Sequence, residues 1–120
     1  MQALILFAHG SRDPAWRAPF DLVAARVRAL RPDVPIELAF LEHASPSLPD
    51  AVEALVARGA AAVKIVPLFL GIGGHLRKDL PALVAAISDR HPGLAVATTP
   101  ALGESPEVLE AVAAWLRDLA

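Results

Sequence analysis

Two histidines lie beyond apolar runs in this chain, His9 in LILFAHGSRD and His75 in VKIVPLFLGIGGHLRKDLP. Imidazole is a borderline-soft ligand that suits divalent Fe, Co, Ni and Zn, and in its neutral form it takes a proton near neutral pH. Either residue can therefore serve as a metal ligand or a general base. Glu42 ends a further run, IELAFLEH, and offers a carboxylate as a third ligand or proton shuttle, with His43 as its exposed neighbour. Asp79 stands four residues after His75. On a helix that spacing lets a carboxylate orient an imidazole, although a solvated residue near a favourable dipole end reads equally well.

Each of these residues also has a plainer reading. His9 can be a partly buried histidine satisfied by a main-chain carbonyl, and Glu42 a surface or capping carboxylate. Leu70-Gly71-Ile72-Gly73-Gly74 packs three glycines beside two apolar residues. Such a loop lets backbone amides approach a ligand closely, supplies positive φ angles, or is simply a flexible connection. Neither G-x-x-x-x-G-K-[ST] nor G-x-G-x-x-G fits it, which argues against a phosphate loop and leaves a flat apolar ligand open. Arg12, Arg77 and Lys78 are the nearby cations able to receive carboxylates, when they are not merely solvated.

The elements that must position these groups are legible as four apolar, β-branch-rich runs, at residues 3–8, 36–41, 62–68 and 94–98. Runs without polar alternation suit strands covered on both faces. Between and after them, helical spacing places Phe20, Val23, Ala24, Val27 and Leu30 on one apolar face, then Leu48, Val52, Leu55 and Val56, then Leu80, Leu83, Val84 and Ile87, and last Leu109, Val112, Ala113 and Leu116. Ser105-Pro106 reads as an N-cap and first helical position, and Gly59 as a C′ glycine. Arg31-Pro32 and His91-Pro92-Gly93 stop helices, and Pro19 is placed in an early turn. The result is an α/β domain over residues 1–120, an open parallel four-stranded sheet with helices on both faces. In such a sheet the loops beyond the strands' carboxyl ends share one rim, so His9 and His75, 66 positions apart, can meet over one crevice.

Bulk composition narrows the partners. The 120 residues are 55% hydrophobic and amount to about one domain; 11 Lys and Arg against 13 Asp and Glu give a net charge of -2, so no global field recruits nucleic acid or an anionic membrane. Cysteine is absent, which excludes disulfides, thiolate zinc sites and a cysteine nucleophile. The mean hydropathy is +0.48, yet the longest greasy stretch, Ala60–Gly74, is broken by Lys64 and Pro67 and is too short to span a bilayer. MQALILFAHG has neither a basic n-region nor a cleavage site. A cytoplasmic protein is expected.

Three segments together resemble the short sirohydrochlorin chelatases: A-H-G-S-R at 8–12, F-L-E at 40–42 followed by P-x-L-P at 46–49, and P-L-F-L-x-x-G-x-H-x-x-x-D-L-P at 67–81. The resemblance runs in order along essentially the whole chain. It implies a chelatase-like fold, one half of a two-domain chelatase, that inserts Co, Fe or Ni into sirohydrochlorin on the way to cobalamin, siroheme or a nickel tetrapyrrole. By the same resemblance His9 and His75 hold the metal, His9 also accepts pyrrole protons, Leu70–Gly74 cradle the macrocycle, and Glu42 assists. Sirohydrochlorin carries many carboxylates, for which Arg12, Arg77 and Lys78 are suited. The metal is a substrate and no organic cofactor is implied. Long bacterial forms differ in having two units and a histidine-rich tail, and the lack of cysteine gives no basis for an iron–sulfur centre. A macrocycle more than about 10 Å across needs two walls to be largely buried, so a homodimer with facing crevices is expected. Two rivals are a metal or tetrapyrrole carrier using the same crevice and a histidine phosphatase. The phosphatase reading is weakened by Ala8, which stands where an R-H-G motif needs arginine.

Overall fold

Gln2–Ala8 is apolar from Ala3 onward, and in the computed structural model, which describes residues 1–120, it forms an inner strand, β1, with neighbours on both sides. The chain continues through α1 (Pro14–Leu30), β2 (Ile36–Phe40), α2 (Leu48–Ala57), β3 (Ala62–Pro67), α3 (Gly74–Arg90), β4 (Ala95–Thr98), a 3-10 turn (Leu102–Glu104) and α4 (Pro106–Arg117). All strand pairs are parallel and the order is β2-β1-β3-β4. Unbroken hydrophobicity is the expected cost-free choice for β1, because its two faces are both covered.

The pleat sends alternate β1 side chains into two cores. Ala3, Ile5 and Phe7 join Val63 and Ile65 of β3 beneath α2 (Leu48, Ala51, Val52, Leu55) and α3 (Leu80, Ile87). Leu6 and Ala8 join Ile36, Leu38 and Phe40 of β2 beneath Ala24 of α1, flanked by Trp16, Phe20 and Val27. No polar side chain is buried, so burial of apolar area holds the layers together at about 25 cal/mol per Å².

Helix starts follow local chemistry. Asp13 caps α1 by accepting from the Ala15 N–H at 2.9 Å, with Pro14 at the first helical position, and Ser47 and Ser105 cap α2 and α4 in the same way. Gly59 follows α2 with φ +95°, and Arg31 and His91 are the C-caps of α1 and α3. Pro19 sits in the second turn of α1, and α3 continues through Pro81. Both prolines are exposed, so water can replace the helical bond each removes.

Two helical faces depart from the expected stripes. In α1 the packed residues are Trp16, Phe20, Ala24 and Val27, whereas Val23 and Leu30 face solvent, because Val23 lies off that stripe and Leu30 is the last helical residue. In α4 the expected face of Leu109, Val112, Ala113 and Leu116 packs on nothing: the helix buries no residue. The sheet therefore carries α2 and α3 on one side and only α1 on the other.

Candidate active site

Strand order β2-β1-β3-β4 creates a topological switch point between β1 and β3, since β1 leads to a helix on one face and β3 to a helix on the other. Ligands of open α/β sheets bind in the crevice beyond the strands' carboxyl ends at such a point. His9 follows β1 directly, Glu42 and His43 lie just past β2, and Leu70–Gly74 connect β3 to α3. All the candidate residues fall on this rim.

Backbone pairing continues past the ends of β1 and β2 and delivers Glu42 to His9. The Leu41 N–H donates to the Ala8 carbonyl at 2.9 Å, and the Glu42 N–H to the His9 carbonyl at 3.1 Å. Gly10 makes that approach feasible: its φ is +100°, and a Cβ there would stand 1.7 Å from the Glu42 carbonyl oxygen. Only glycine fits on both counts. The side chains then meet, with Glu42 Oε1 3.2 Å from His9 Nε2 and 3.8 Å from His43 Nε2. His43 reaches this position with φ +61°, uncommon for a residue with a Cβ. Roughly half of each side chain remains open, 57% for His9 and 51% for Glu42, which leaves both accessible to a ligand.

Phe69 is a supporting residue that sequence reasoning passed over. It lies within the P-L-F-L run, and the Leu68 N–H bond to the Phe7 carbonyl, at 2.7 Å, brings it alongside β1. Its buried ring stands edge-on to His9, centroids 6.3 Å apart, and edge-on to Phe7 at 5.9 Å. Such aromatic contacts favour one ring orientation. On the other flank Arg17 lies over the Phe40 ring at 4.7 Å and donates to the Ser45 carbonyl at 3.1 Å, tying α1 to the loop that carries Glu42 and His43. The signal available for Phe69 was a large side chain next to the rim residue Leu70; Arg17, inside α1, carried no such signal.

His75 is the second residue of α3, on the same rim but exposed and without a hydrogen bond or ion pair. Asp79 is exposed and does not bond to it, so of the two readings of Asp79 the solvated helix residue is the one seen. No three His, Asp or Glu side chains are arranged to hold a metal ion together. The fold brings Glu42 against both His9 and His43, and His75 makes no contact with them. Gly71, Gly73 and Gly74 do not adopt positive φ, and a Cβ on any of them would meet open space. Internal packing does not require these glycines. Gly73 is the α3 N-cap and offers no side-chain bond, and Arg77 is the first residue to bond back, to the Gly73 carbonyl at 3.1 Å. The amides before it remain available beside Arg77 and Lys78, a combination that favours anions. Beyond Ile72 a groove of about 460 Å³ opens between α3 and β4, lined by Leu76, Arg77, Leu80, Val84 and Thr98. Arg12, exposed, makes no ion pair.

A family model described as CbiX matches residues 3–119. A sirohydrochlorin cobaltochelatase of Methanocaldococcus jannaschii is 34% identical over 91 residues, covering 76% of this chain and 64% of that one. A sirohydrochlorin ferrochelatase of Bacillus subtilis is 29% identical over 119 residues, 98% of this chain and 45% of that one. The chain thus spans less than two thirds of the length of these relatives. Among solved structures, a CbiX protein of Marinobacter aquaeolei VT8 ascribed to cobalamin (vitamin B12) biosynthesis aligns with a TM-score of 0.87 at 30% identity, covering 98% of this chain and 96% of that one. SirB from Bacillus subtilis with Fe3+ aligns with a TM-score of 0.81 at 28% identity, over 99% of this chain and 47% of its own.

Proposed function

The chain belongs to the CbiX family, and from that premise we propose that it is an enzyme inserting a divalent metal, Co²⁺, Fe²⁺ or Ni²⁺, into sirohydrochlorin. The observation that carries this reading is the His9–Glu42 pair at 3.2 Å, placed on the sheet's switch-point rim by the bond from the Glu42 N–H to the His9 carbonyl. Insertion replaces two pyrrole N–H protons with a dication, so it needs a base and a metal donor whose ligands exchange. Neutral His9, its Nε2–H turned to the Glu42 carboxylate, accepts one pyrrole proton at Nδ1 as the metal leaves it, the carboxylate stabilises the imidazolium that forms, and the second pyrrole proton passes to water. His75, across the β1–β3 crevice on the start of α3, is the second metal ligand. The metal enters as substrate, and no organic cofactor takes part.

A sparse donor set supports transfer over storage. Two imidazoles with open positions release an ion to four pyrrole nitrogens, whereas a carrier benefits from a fuller cage. Leu70–Gly74 form the wall against which the macrocycle lies, since glycine faces without Cβ atoms admit a flat ring. Arg12, Arg77, Lys78 and the free amides of α3 receive its carboxylates. One unit supplies one wall, and the reading therefore includes a homodimer with facing crevices. No helix is long and apolar enough to cross a membrane, and a cytoplasmic site of action fits the tetrapyrrole substrate.

Anaerobic absorbance of sirohydrochlorin with each metal, with and without protein, tests the proposal. Acceleration over the spontaneous reaction is expected with at least one ion; binding of sirohydrochlorin without acceleration for any of the three would convert the reading to a carrier.

A further inference from the structure

His43 is the apex of a loop whose other residues are tied down. Leu41 and Glu42 donate their N–H groups to the Ala8 and His9 carbonyls, and Ala44 packs against the core beneath α1. The Ser45 carbonyl accepts from Arg17, and the Pro46 carbonyl accepts from the Phe40 N–H at 2.9 Å, closing the loop on its own start. Between these anchors the chain turns through a left-handed residue, and His43 supplies it at φ +61°, the only residue other than glycine with a positive φ. Glycine or asparagine adopts that conformation at less cost.

The imidazole gains nothing in packing to offset this backbone. It is exposed, belongs to neither core, and its one polar neighbour is the Glu42 carboxylate. Strain held in place by its surroundings clusters at functional sites. Glu42, for its part, has a long, half-exposed side chain that no side chain but the two histidines meets. The same oxygen, Oε1, stands 3.2 Å from His9 Nε2 and 3.8 Å from His43 Nε2. Holding a long side chain in one rotamer costs entropy, and a single solvated contact recovers little of it. A second imidazole on that oxygen, beyond hydrogen-bond length but within reach of electrostatic attraction, narrows the carboxylate to the rotamer that faces His9.

We infer that His43 is a positioning residue for His9. It steadies the Glu42 carboxylate against the His9 imidazole, which keeps the His9 proton on Nε2 and leaves Nδ1 free, since the partner of one ring nitrogen sets the state of the other. His43 acts through Glu42 and not on the macrocycle. The benefit to metal insertion rests on the proposed function; the order His43, Glu42, His9 does not, and it is read without metal or substrate.

Imidazole ¹⁵N NMR of the metal-free protein at about pH 8.5, where the rings are neutral, reads that order. Wild-type His9 is expected to show a fixed Nε2–H, His43→Gly to shift toward the average of the two tautomers, and Glu42→Ala to set the fully averaged limit. The strained backbone sharpens the second measurement. His43→Gly relieves the left-handed turn, so its melting temperature is expected to hold or rise. Its kcat for insertion is expected to fall about 10-fold with KM for sirohydrochlorin unchanged, the lower end of the loss for a group supporting a metal-binding histidine. His43→Gln, whose amide can donate to Glu42, recovers most of the rate. If the wild type does not accelerate insertion, the chelatase reading fails and the NMR comparison still decides this inference. A wild-type His9 already averaged between tautomers, or a His9 tautomer indifferent to His43→Gly, overturns it. So does full kcat in His43→Gly of an active enzyme, or a fall in rate matched by a fall in melting temperature.

Discussion

The Glu42 carboxylate lies 3.2 Å from His9 Nε2, and the same two residues are bonded through their backbones, Glu42 N–H to His9 carbonyl at 3.1 Å. Strand pairing holds Glu42 through its backbone alone, so its side chain can be altered without moving the backbone that presents it. Glu42→Gln preserves shape and removes charge. A fall of about 10- to 100-fold in metal affinity or insertion rate is expected, the usual loss when a carboxylate supporting a histidine is neutralised. An unchanged steady-state rate would remove Glu42 from the chemistry.

Gly10→Ala should be disproportionately damaging. The new Cβ would stand 1.7 Å from the Glu42 carbonyl oxygen on a backbone at φ +100°, so the strand ends must part. A loss of roughly 2 kcal/mol or more is expected from strain and lost bonds, read as a lower melting temperature together with lost insertion activity. Wild-type stability in this variant would mean that the rim is far more plastic than its hydrogen bonds suggest.

Gly73→Ala reports on the opposite situation. Its φ is -74° and a Cβ would meet nothing within 4 Å, so stability should stay within about 0.5 kcal/mol. If the macrocycle lies on this loop, KM for sirohydrochlorin rises while the melting temperature holds. Unchanged KM would move the macrocycle elsewhere on the rim.

Much of this arrangement was legible in residue order. Unbroken apolar runs marked all four strands, β1 because both its faces are covered, and Ser105 before Pro106 marked the start of α4 because a serine side chain satisfies a free amide. The rim followed from parallel order alone. What sequence could not disclose was pairwise geometry. His43 read as the exposed neighbour of Glu42, yet a left-handed turn brings it to 3.8 Å from that carboxylate; Phe69 was passed over, yet its ring stands edge-on to His9. The stripe on α4 was read as apolar, and in the fold it stands exposed. Periodicity reports that a face seeks burial but says nothing about which molecule provides it.

The loop on the opposite edge supplies the resolved acid dependence. Hydrogen bonding to the Arg31 guanidinium, aided by its own backbone, holds the Asp33 carboxyl below its ordinary range, and the same pair raises Arg31. A depressed carboxylate contributes stability above its unfolded value and loses it as pH falls through the folded one. The raised Arg31 contributes throughout the neutral range and loses its share only in strong alkali. Both groups are fully solvated, so salt screens the pair. Asp33→Asn should slightly flatten the acid limb of melting temperature against pH at low salt and leave neutral pH nearly unaffected; a large effect at neutral pH would assign Asp33 a structural role beyond this pair.

The joint action of His9 and His75 on the metal is tested most directly by anaerobic insertion kinetics on the wild type, His9→Ala and His75→Ala, with Co²⁺ binding measured on the same samples. Both side chains are exposed and neither belongs to the buried core, so the variants should fold normally. Each is expected to lose about 100-fold or more in rate, in the range typical of removing a positioned acid–base group, with weakened Co²⁺ binding in both. Equal rates and equal Co²⁺ affinity across the three proteins would contradict the assignment of these histidines to the metal.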